Sequence, residues 1–312
     1  MILTLTLNPA VDISYKLDRL ELDVVNRVAS VSKTAGGKGL NVARVLHQLG
    51  EEVAASGFLG GSLGSFISAE LQVIGINDFF VPIQGETRNC IAILHEGKQT
   101  EILESGPIIS EVEAGFFLGK FEEYIQQVDL VTISGSLPKG LSVDFYAKLI
   151  EISNRYETKV LLDTNGTLLT STLNSTSKPY LIKPNEEEMA ELLGKSTIDE
   201  VEIIGALESM LFTDIPWVVV TLGANGAIVK HNKTIYRAAL PKVNAINPVG
   251  SGDSVVAGFA AGITRGLTDE ELIKFGLTMG VLNALEDKTG YINIEKVETV
   301  SSQIEVKSTS IH

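Results

Sequence analysis

The sequence lacks the features of several protein classes. Cys90 is the only cysteine among 312 residues, so an intramolecular disulfide and a cysteine-based metal site are both excluded. No apolar run approaches the ~18 residues that a membrane-spanning helix needs. Residues 1–7 alternate apolar and polar side chains without a basic head, which is typical of a strand and not of a signal peptide. The histidines show no metal-binding spacing: His47, His95, His231 and His312. We therefore expect a soluble, cytoplasmic protein.

Basic residues are also scarce. The chain has 25 Lys and Arg against 39 Asp and Glu, a net charge of −14. No basic tract offsets this charge, so nucleic acid and anionic membrane surfaces are not expected as partners. An anionic substrate would need a local cluster of cations. Arg27, Lys38 and Arg88 are the candidates, although exposed surface positions would equally explain Arg27 and Arg88.

Strand and helix patterns alternate along the chain. Short apolar runs rich in β-formers are followed by amphipathic stretches at 53–58, 130–134, 160–163, 180–182 and 217–222. This alternation predicts an α/β fold, a three-layer α/β/α sandwich with a mainly parallel central sheet. Residues 12–33 and 85–103 instead resemble strand pairs. We expect one domain over 1–312, with these two regions forming a small β-sheet lid.

Polar residues close several of the predicted strands. They are Asn8, Ser134, Asp163, the segment 183–185 and Thr221. Ligands of open α/β sheets bind at the carboxyl ends of the strands. The coincidence predicts a single cleft at that edge.

The turn Gly250-Ser251-Gly252-Asp253 precedes an apolar helical stretch. Small residues at a helix start leave backbone N–H groups bare, which together with the helix dipole bind anions. A carboxylate beside such a site can accept a proton from an attacking hydroxyl. An ordinary helix N-terminus is the alternative, since the dipole also favours Asp253 there. The chain has neither a Walker A motif nor a Gly-x-Gly-x-x-Gly fingerprint.

A second glycine-rich segment, 35–43, also leads into a helix. Its glycines allow a ligand to approach the backbone closely, while Lys38 and Asn41 supply a charge and an amide. Three glycines around a lysine favour ligand binding over a plain loop–helix junction.

Two further motifs are ambiguous when taken alone. Asn185 and Glu188 have the spacing of a capping box. The functional alternative is that Glu188 orients a hydrated Mg²⁺ near nucleotide phosphates, with Lys183 close by. The segment 221–226 is either a nucleotide-facing loop or a turn between strands.

The motifs together resemble a known family. Residues 36–43, with Gly50 and Gly60 at the expected offsets, resemble the first signature of the ribokinase-like (phosphofructokinase B) sugar kinases. Residues 247–253, continuing to Gly258, resemble the second, and Asn185-x-x-Glu188 stands between them. The resemblance covers nearly the whole chain and implies an ATP-dependent phosphotransferase that uses Mg²⁺ and dimerises through its lid.

The resemblance also implies roles for individual residues. Binding of the sugar hydroxyls is assigned to Asp12, Gly37 and Asn41. The phosphate on the sugar is assigned to Arg27, Lys38 and Arg88. The base is Asp253, with an anion hole at Gly250, Ser251 and Gly252. The ATP site is assigned to Lys183, Asn185, Thr221, Gly223 and Gly226, with Asn283 near the adenine. Mg²⁺ is assigned to Glu188, with Asp163 behind it, acting through water.

The expected reaction is transfer of the γ-phosphoryl group to the C1 hydroxyl of D-tagatose 6-phosphate. Residues 85–93, around Arg88, resemble the corresponding segment of family members that use this acceptor, and the resemblance implies this choice. Fructose 1-phosphate and fructose 6-phosphate are the alternatives. A catalytically silent sugar-phosphate sensor is a third hypothesis, against which an intact Asp253 argues.

Overall fold

The computed structural model describes the backbone of residues 1–310 and the side chains of residues 1–308, and its strands form a larger and a smaller sheet. The strands are β1 Ile2–Thr6, β2 Ala10–Lys16, β3 Ser30–Gly36, β4 Val53–Leu59, β5 Asn77–Asp78, β6 Val81–Pro82, β7 Arg88–His95, β8 Lys98–Leu103, β9 Leu130–Ser134, β10 Lys159–Asp163, β11 Leu181–Ile182, β12 Trp217–Thr221, β13 Ala227–His231, β14 Thr234–Ala239 and β15 Glu305–Ser310. The helices are α1 Lys38–Gln48, α2 Gly61–Ile74, α3 Glu111–Ile125, α4 Phe145–Arg155, α5 Gly166–Asn174, α6 Glu186–Leu192, α7 Glu200–Leu207, α8 Ser251–Thr264, α9 Asp269–Ala284 and α10 Val297–Ser301. Short 3₁₀ turns occur at Met210–Phe212, Gly223–Asn225 and Ile294–Lys296.

The larger sheet has the order β15-β14-β13-β12-β11-β10-β9-β1-β4-β5, with β6 beside β4. Pairing is parallel from β12 to β5 and antiparallel from β12 to β15. The predicted parallel sheet is confirmed, and an antiparallel edge extends it.

Both faces of this sheet are covered. Alternate residues of β12 belong to two separate apolar clusters, Val219 to one and Val218 and Val220 to the other. The first cluster is completed by α1, α2, α8 and α9, and the second by α3 to α7. Burying one such aliphatic side chain contributes roughly 1.5–3 kcal/mol, so the two-sided core explains the almost uninterrupted apolar strands. The three-layer fold class is confirmed.

The helices nearest the proposed cleft pack closely. At Gly258 in α8, an added Cβ would lie 2.7 Å from the Cα of Gly276 in α9. The two backbones therefore meet at van der Waals distance, which fixes the axis of α8 and the direction in which its N-terminus points.

The smaller sheet has the order β3-β2-β7-β8. β2 pairs antiparallel with β3 and parallel with β7. β7 and β8 form a hairpin whose turn residues, Glu96 and Gly97, have φ of 50° and 71°, as a primed turn requires. Within residues 1–310, no helix is long and apolar enough to cross a membrane.

Candidate active site

The carboxyl edge of the larger sheet brings several predicted residues together. Asp163 ends β10 directly opposite Ser134, the last residue of β9. Lys183 follows β11, and the amide of Thr221 donates to the carbonyl of Pro184 at 3.0 Å. Parallel strands end at one edge, so side chains far apart in sequence line one cleft.

The turn before α8 is held in an uncommon conformation. Gly250 has φ of 81°, the left-handed region that favours glycine. Asn283 of α9 donates from Nδ2 to the carbonyl of Val249 at 2.9 Å, and its Oδ1 accepts from the amide of Gly290 at 2.8 Å. Asn283 thus holds the turn in place from α9, and both polar atoms of its side chain are already bonded within the protein. An adenine contact by Asn283 stays a prediction that this geometry does not support.

The first turn of α8 presents free backbone donors. The amides of Ser251 and Ser254 bond to Pro248 and Gly250. Those of Gly252 and Asp253 have no acceptor in the described part of the chain. The ammonium of Lys183 lies beside them, since a Cβ on Gly252 would lie 3.3 Å from Lys183 Nζ. Free amides, helix dipole and lysine together make an anion site.

Asp253 lies in that turn and is 5% exposed. Its Oδ2 accepts from Nδ2 of Asn41 in α1 at 2.7 Å. Burial raises the pKa of Asp253 to about 7, and the charge of Asp163 adds to the rise, while Asn41, Lys38 and Lys183 oppose it. A carboxyl that titrates near neutrality can accept a proton from a hydroxyl.

Asp163 is equally buried but has a different environment. Its Oδ1 lies 3.2 Å from Lys183 Nζ and its Oδ2 lies 3.7 Å from Lys38 Nζ. Burial alone raises the pKa of Asp163, but the charges of Lys183 and Lys38 prevail and hold it below its usual value. Asp163 in turn raises the pKa of Lys38, against the effect of burial. Asp163 is therefore an anion that holds the ammonium groups of Lys38 and Lys183 near Asp253.

The three residues predicted to hold the sugar phosphate lie in different surroundings. Lys38 pairs with Asp163. Arg88 donates to the carbonyls of Glu104 and Asn8 at 2.9 and 3.0 Å. Arg27 is exposed in the loop between β2 and β3. No hydrogen bond or ion pair among the described residues joins the three to a common partner, so a common phosphate site stays a prediction.

The second glycine-rich segment surrounds Asp12. A Cβ at Gly36 would lie 2.1 Å from the Asp12 carboxyl carbon, so a larger residue there would displace the Asp12 side chain. Gly37 has φ of 118°, and a Cβ on it would approach Thr6. Burial raises the pKa of Asp12 to about 6, against the charges of Arg44 and Arg88. These glycines let a carboxylate lie directly against the start of α1.

The predicted nucleotide side is bounded by α6. Asn185 Oδ1 accepts from the amide of Glu188 at 2.7 Å, and Glu188 Oε2 accepts from the amide of Asn185 at 2.9 Å. The capping box is confirmed, and Oε1 of Glu188 has no hydrogen-bond partner in the described part of the chain. Burial raises the pKa of Glu188. Gly223 has open space beside it, whereas a Cβ on Gly226 would meet the carbonyl of Ala238 at 2.0 Å, so Gly226 also serves packing.

Comparison with known proteins identifies the family. The model of the pfkB family of carbohydrate kinases matches residues 5–296. The chain belongs to the pfkB family. It is accordingly a phosphotransferase whose phosphoryl donor is ATP.

Similar proteins and solved structures span the same length. The chain is 50% identical over 307 residues to the tagatose-6-phosphate kinase of Staphylococcus epidermidis, which covers 98% of this chain and 99% of that one. A protein of Staphylococcus aureus assigned as a phosphofructokinase has a TM-score of 0.86 at 30% identity, with 100% of both chains covered. One of Thermotoga maritima, assigned as a 1-phosphofructokinase, has a TM-score of 0.89 at 26% identity over 99% of each chain.

One residue of this pfkB kinase site was missed from sequence. Arg44 is 7% exposed, and its guanidinium donates to the side chain of Asn41 and, at 2.6 Å, to the carbonyl of Ala35. The available signal was a charged residue inside α1 between the buried Val42 and Val45. Its spacing from Asn41, three residues, puts both on neighbouring turns of the helix.

Proposed function

We propose that this pfkB kinase phosphorylates the C1 hydroxyl of D-tagatose 6-phosphate to give D-tagatose 1,6-bisphosphate, in lactose and galactose breakdown. The 50% identity to the tagatose-6-phosphate kinase of Staphylococcus epidermidis over nearly the full length supports this acceptor. Residues 85–93, which resemble such enzymes, support it as well, whereas residues 4–12 also resemble 1-phosphofructokinases and do not separate the two acceptors.

The observation that carries the kinase chemistry is the buried carboxyl of Asp253 beside the free amides of Gly252 and Asp253. Asp253 takes the proton of the C1 hydroxyl as the oxygen attacks the γ-phosphorus of ATP, and the bond from that phosphorus to the β,γ-bridging oxygen breaks to release ADP. The amides, with Gly250 setting the turn, receive the negative charge of the transferring group. Lys183 and Lys38 add two cations on the side of Asp163. Positioning and electrostatics supply the rest of the acceleration.

The residues present fit a hydrated Mg²⁺. The described residues hold no cluster of three or more His, Cys, Asp or Glu that could bind a metal directly. Glu188, however, keeps Oε1 free, and carboxylates bind Mg²⁺ largely through its waters. We place Glu188 at those waters, with Asp163 behind it. The ion would neutralise charge on the ATP phosphates.

The remaining contacts follow from position. Asp12, Gly37 and Asn41 are proposed to bind sugar hydroxyls at the start of α1. Arg27 and Arg88, on or beside the smaller sheet, and Lys38 are proposed to bind the sugar phosphate. Asn185, Thr221, Gly223 and Gly226 are proposed to line the ATP site, with Lys183. We treat residues 1–312 as one kinase domain with the smaller sheet as its lid, and propose a cytoplasmic location.

The test is a coupled assay of ADP release on tagatose 6-phosphate, fructose 6-phosphate and fructose 1-phosphate. We expect the highest kcat/KM with tagatose 6-phosphate. Asp253→Asn is expected to lower kcat at least ~10²-fold, the usual scale for loss of a general base, with sugar binding retained in calorimetry. A near wild-type rate in this variant would show that Asp253 is not the base.

The same assay decides between the alternatives. The Staphylococcus aureus and Thermotoga maritima proteins favour fructose phosphates as the second candidates. Equal kcat/KM for fructose 6-phosphate and tagatose 6-phosphate would overturn the proposed specificity. Thermal stabilisation by a sugar phosphate without ADP release would indicate a silent sensor instead.

A further inference from the structure

Arg44 is a buried cation without an ion pair. It is 7% exposed, and no carboxylate lies within 4.0 Å of it among the described side chains. Taking an unpaired charge out of water is costly. The guanidinium is held instead by two oxygens, the carbonyl of Ala35 and Oδ1 of Asn41, and its Nε has no acceptor. Those two bonds are the direct contacts through which Arg44 can act on its surroundings.

The bond to Asn41 fixes which way its amide faces. Arginine has donors only, so Arg44 can bond only the oxygen of the Asn41 amide. The nitrogen then points to the other side, where it donates to Asp253 Oδ2 at 2.7 Å. A flipped Asn41 would place its oxygen against the carboxylate of Asp253 and its NH₂ against a guanidinium, and both contacts would be repulsive.

The surroundings leave Arg44 little freedom. A Cβ on Gly290 would lie 3.1 Å from Arg44 Nε. Gln48 donates to the carbonyls of both Arg44 and Gly290 at 2.9 Å, which joins the two segments. The charged and titratable groups that face Arg44 are Asp12 of β2, Glu70 of α2, Tyr291 and Asp253.

We propose that Arg44 is a positioning residue of the phosphoryl transfer, which acts through Asn41 to hold the Asp253 carboxylate towards the acceptor hydroxyl. This rests on Asp253 being the base of the proposed reaction. The same guanidinium also bonds to the carbonyl of Ala35, the residue before Gly36, and so helps to fix the glycine-rich segment that lies against Asp12 of β2. One side chain thus sets the relative position of the base and the sugar-binding loop.

The test is a double-mutant cycle on kcat with Arg44→Met and Asn41→Ala. Misplacing a catalytic group by about 1 Å can cost about 10²-fold in rate, so Arg44→Met is expected to lower kcat by about that factor. In the Asn41→Ala background it should cost no more than about threefold, because residues that act through one another are not additive. An equal loss in both backgrounds, or no loss in the folded single variant, would overturn the proposal.

Lys230→Met is the matched control. Lys230 is also buried and also donates to a backbone carbonyl, that of Phe212 at 2.6 Å, but it pairs with Val218 near the amino end of β12, opposite the cleft. It should lower Tm without changing kcat. If Arg44→Met does not fold, Arg44→Gln, whose shorter side chain cannot span both acceptors, enters the same cycle.

A second readout separates positioning from general loosening. Asn41 lowers the pKa of Asp253, so a misoriented Asn41 should move the acid limb of the kcat–pH profile to higher pH in Arg44→Met and not in Lys230→Met. An unmoved limb would contradict action through Asn41. Wild-type protein inactive on all three sugar phosphates would instead refute the proposed function, so the two failures are distinguishable.

Discussion

Two buried aspartates in this cleft have pKa values shifted in opposite directions because their neighbours differ. Asp163 faces two ammonium groups, whereas Asp253 receives one amide hydrogen bond and the field of Asp163. Environments that push the pKa values of two carboxyls apart are what acid–base chemistry requires. Asp163 is suited to hold cations, and Asp253 is suited to exchange a proton.

The raised pKa of Asp253 predicts the pH dependence of the rate. A base must be deprotonated, and burial raises its pKa to about 7, so kcat should fall as pH drops through about 7. Well below that pH, kcat should fall tenfold for each pH unit. The profile of kcat between about pH 5.5 and 8.5 measures it.

The control for this profile is the acceptor's KM. Burial raises the pKa of Asp12 to about 6, and a sugar-binding carboxylate should affect KM more than kcat. A kcat that stays flat across the whole range would contradict the assignment of Asp253 as a base whose pKa is raised by burial.

Sequence patterns predicted local features of the site and missed tertiary ones. Gly250-Ser251-Gly252 predicted a helix start with bare amides, and Asn185-x-x-Glu188 predicted a capping box; both are local and both are present. The bonds from Asn283 to residues 249 and 290 join separate segments of the fold, so no sequence motif predicts them. The bond from Arg44 to Asn41 is local to α1, but its role depends on Asp253, which only the tertiary fold brings to Asn41. The pairing of Lys38 with Asp163 joins α1 to β10, a relation that only the sheet order fixes.

The strands were likewise predicted where their own sequence is informative and missed where it is not. Alternating patterns predicted the parallel strands, because each is a buried apolar run followed by an amphipathic helix. The antiparallel edge, β13 to β15, includes a strand at 305–310 that has a polar pattern and pairs with a strand some seventy residues earlier. Its partner, not its own sequence, makes it a strand.

The turn before α8 gives a prediction at the scale of an element. Gly250 has a positive φ, and its Cβ would lie 2.4 Å from Thr289 Cγ2. Gly250→Ala should lower the free energy of unfolding by more than the ~1–2 kcal/mol that a side chain in the left-handed region costs. It should also lower kcat, because the amides of the anion site would move. Urea unfolding and steady-state kinetics measure the two effects.

Gly266→Ala is its control at the other end of the same helix. Gly266 also has a positive φ, 70°, but open space beside it. The Gly266→Ala variant should lower the free energy of unfolding by about 1 kcal/mol and leave kcat unchanged. An unchanged kcat in a folded Gly250→Ala protein would show that the turn's geometry is not needed for phosphoryl transfer.

At the scale of the whole molecule, the smaller sheet is incompletely covered. Every residue of β8 is exposed, and aliphatic side chains on this sheet or its loops remain in water: Leu22, Val24, Val25, Val31, Ile102 and Leu103. A sheet normally buries one face against another layer. The net charge of −14 opposes unspecific association, so an apolar contact between like-charged copies needs a specific surface.

We expect the lid sheet to be covered by the lid of a second copy, which would make the protein a homodimer. A stable contact of this kind buries about 800 Å² on each partner, and a charge at its centre should disrupt it. Leu103→Arg, at a side chain 61% exposed, should therefore convert dimer to monomer in light scattering after size exclusion. Val73→Arg is the matched control, because Val73 is 85% exposed but lies on α2, outside the smaller sheet. A wild-type monomer at micromolar concentration, or dissociation by Val73→Arg and not by Leu103→Arg, would show that the lid is not the interface.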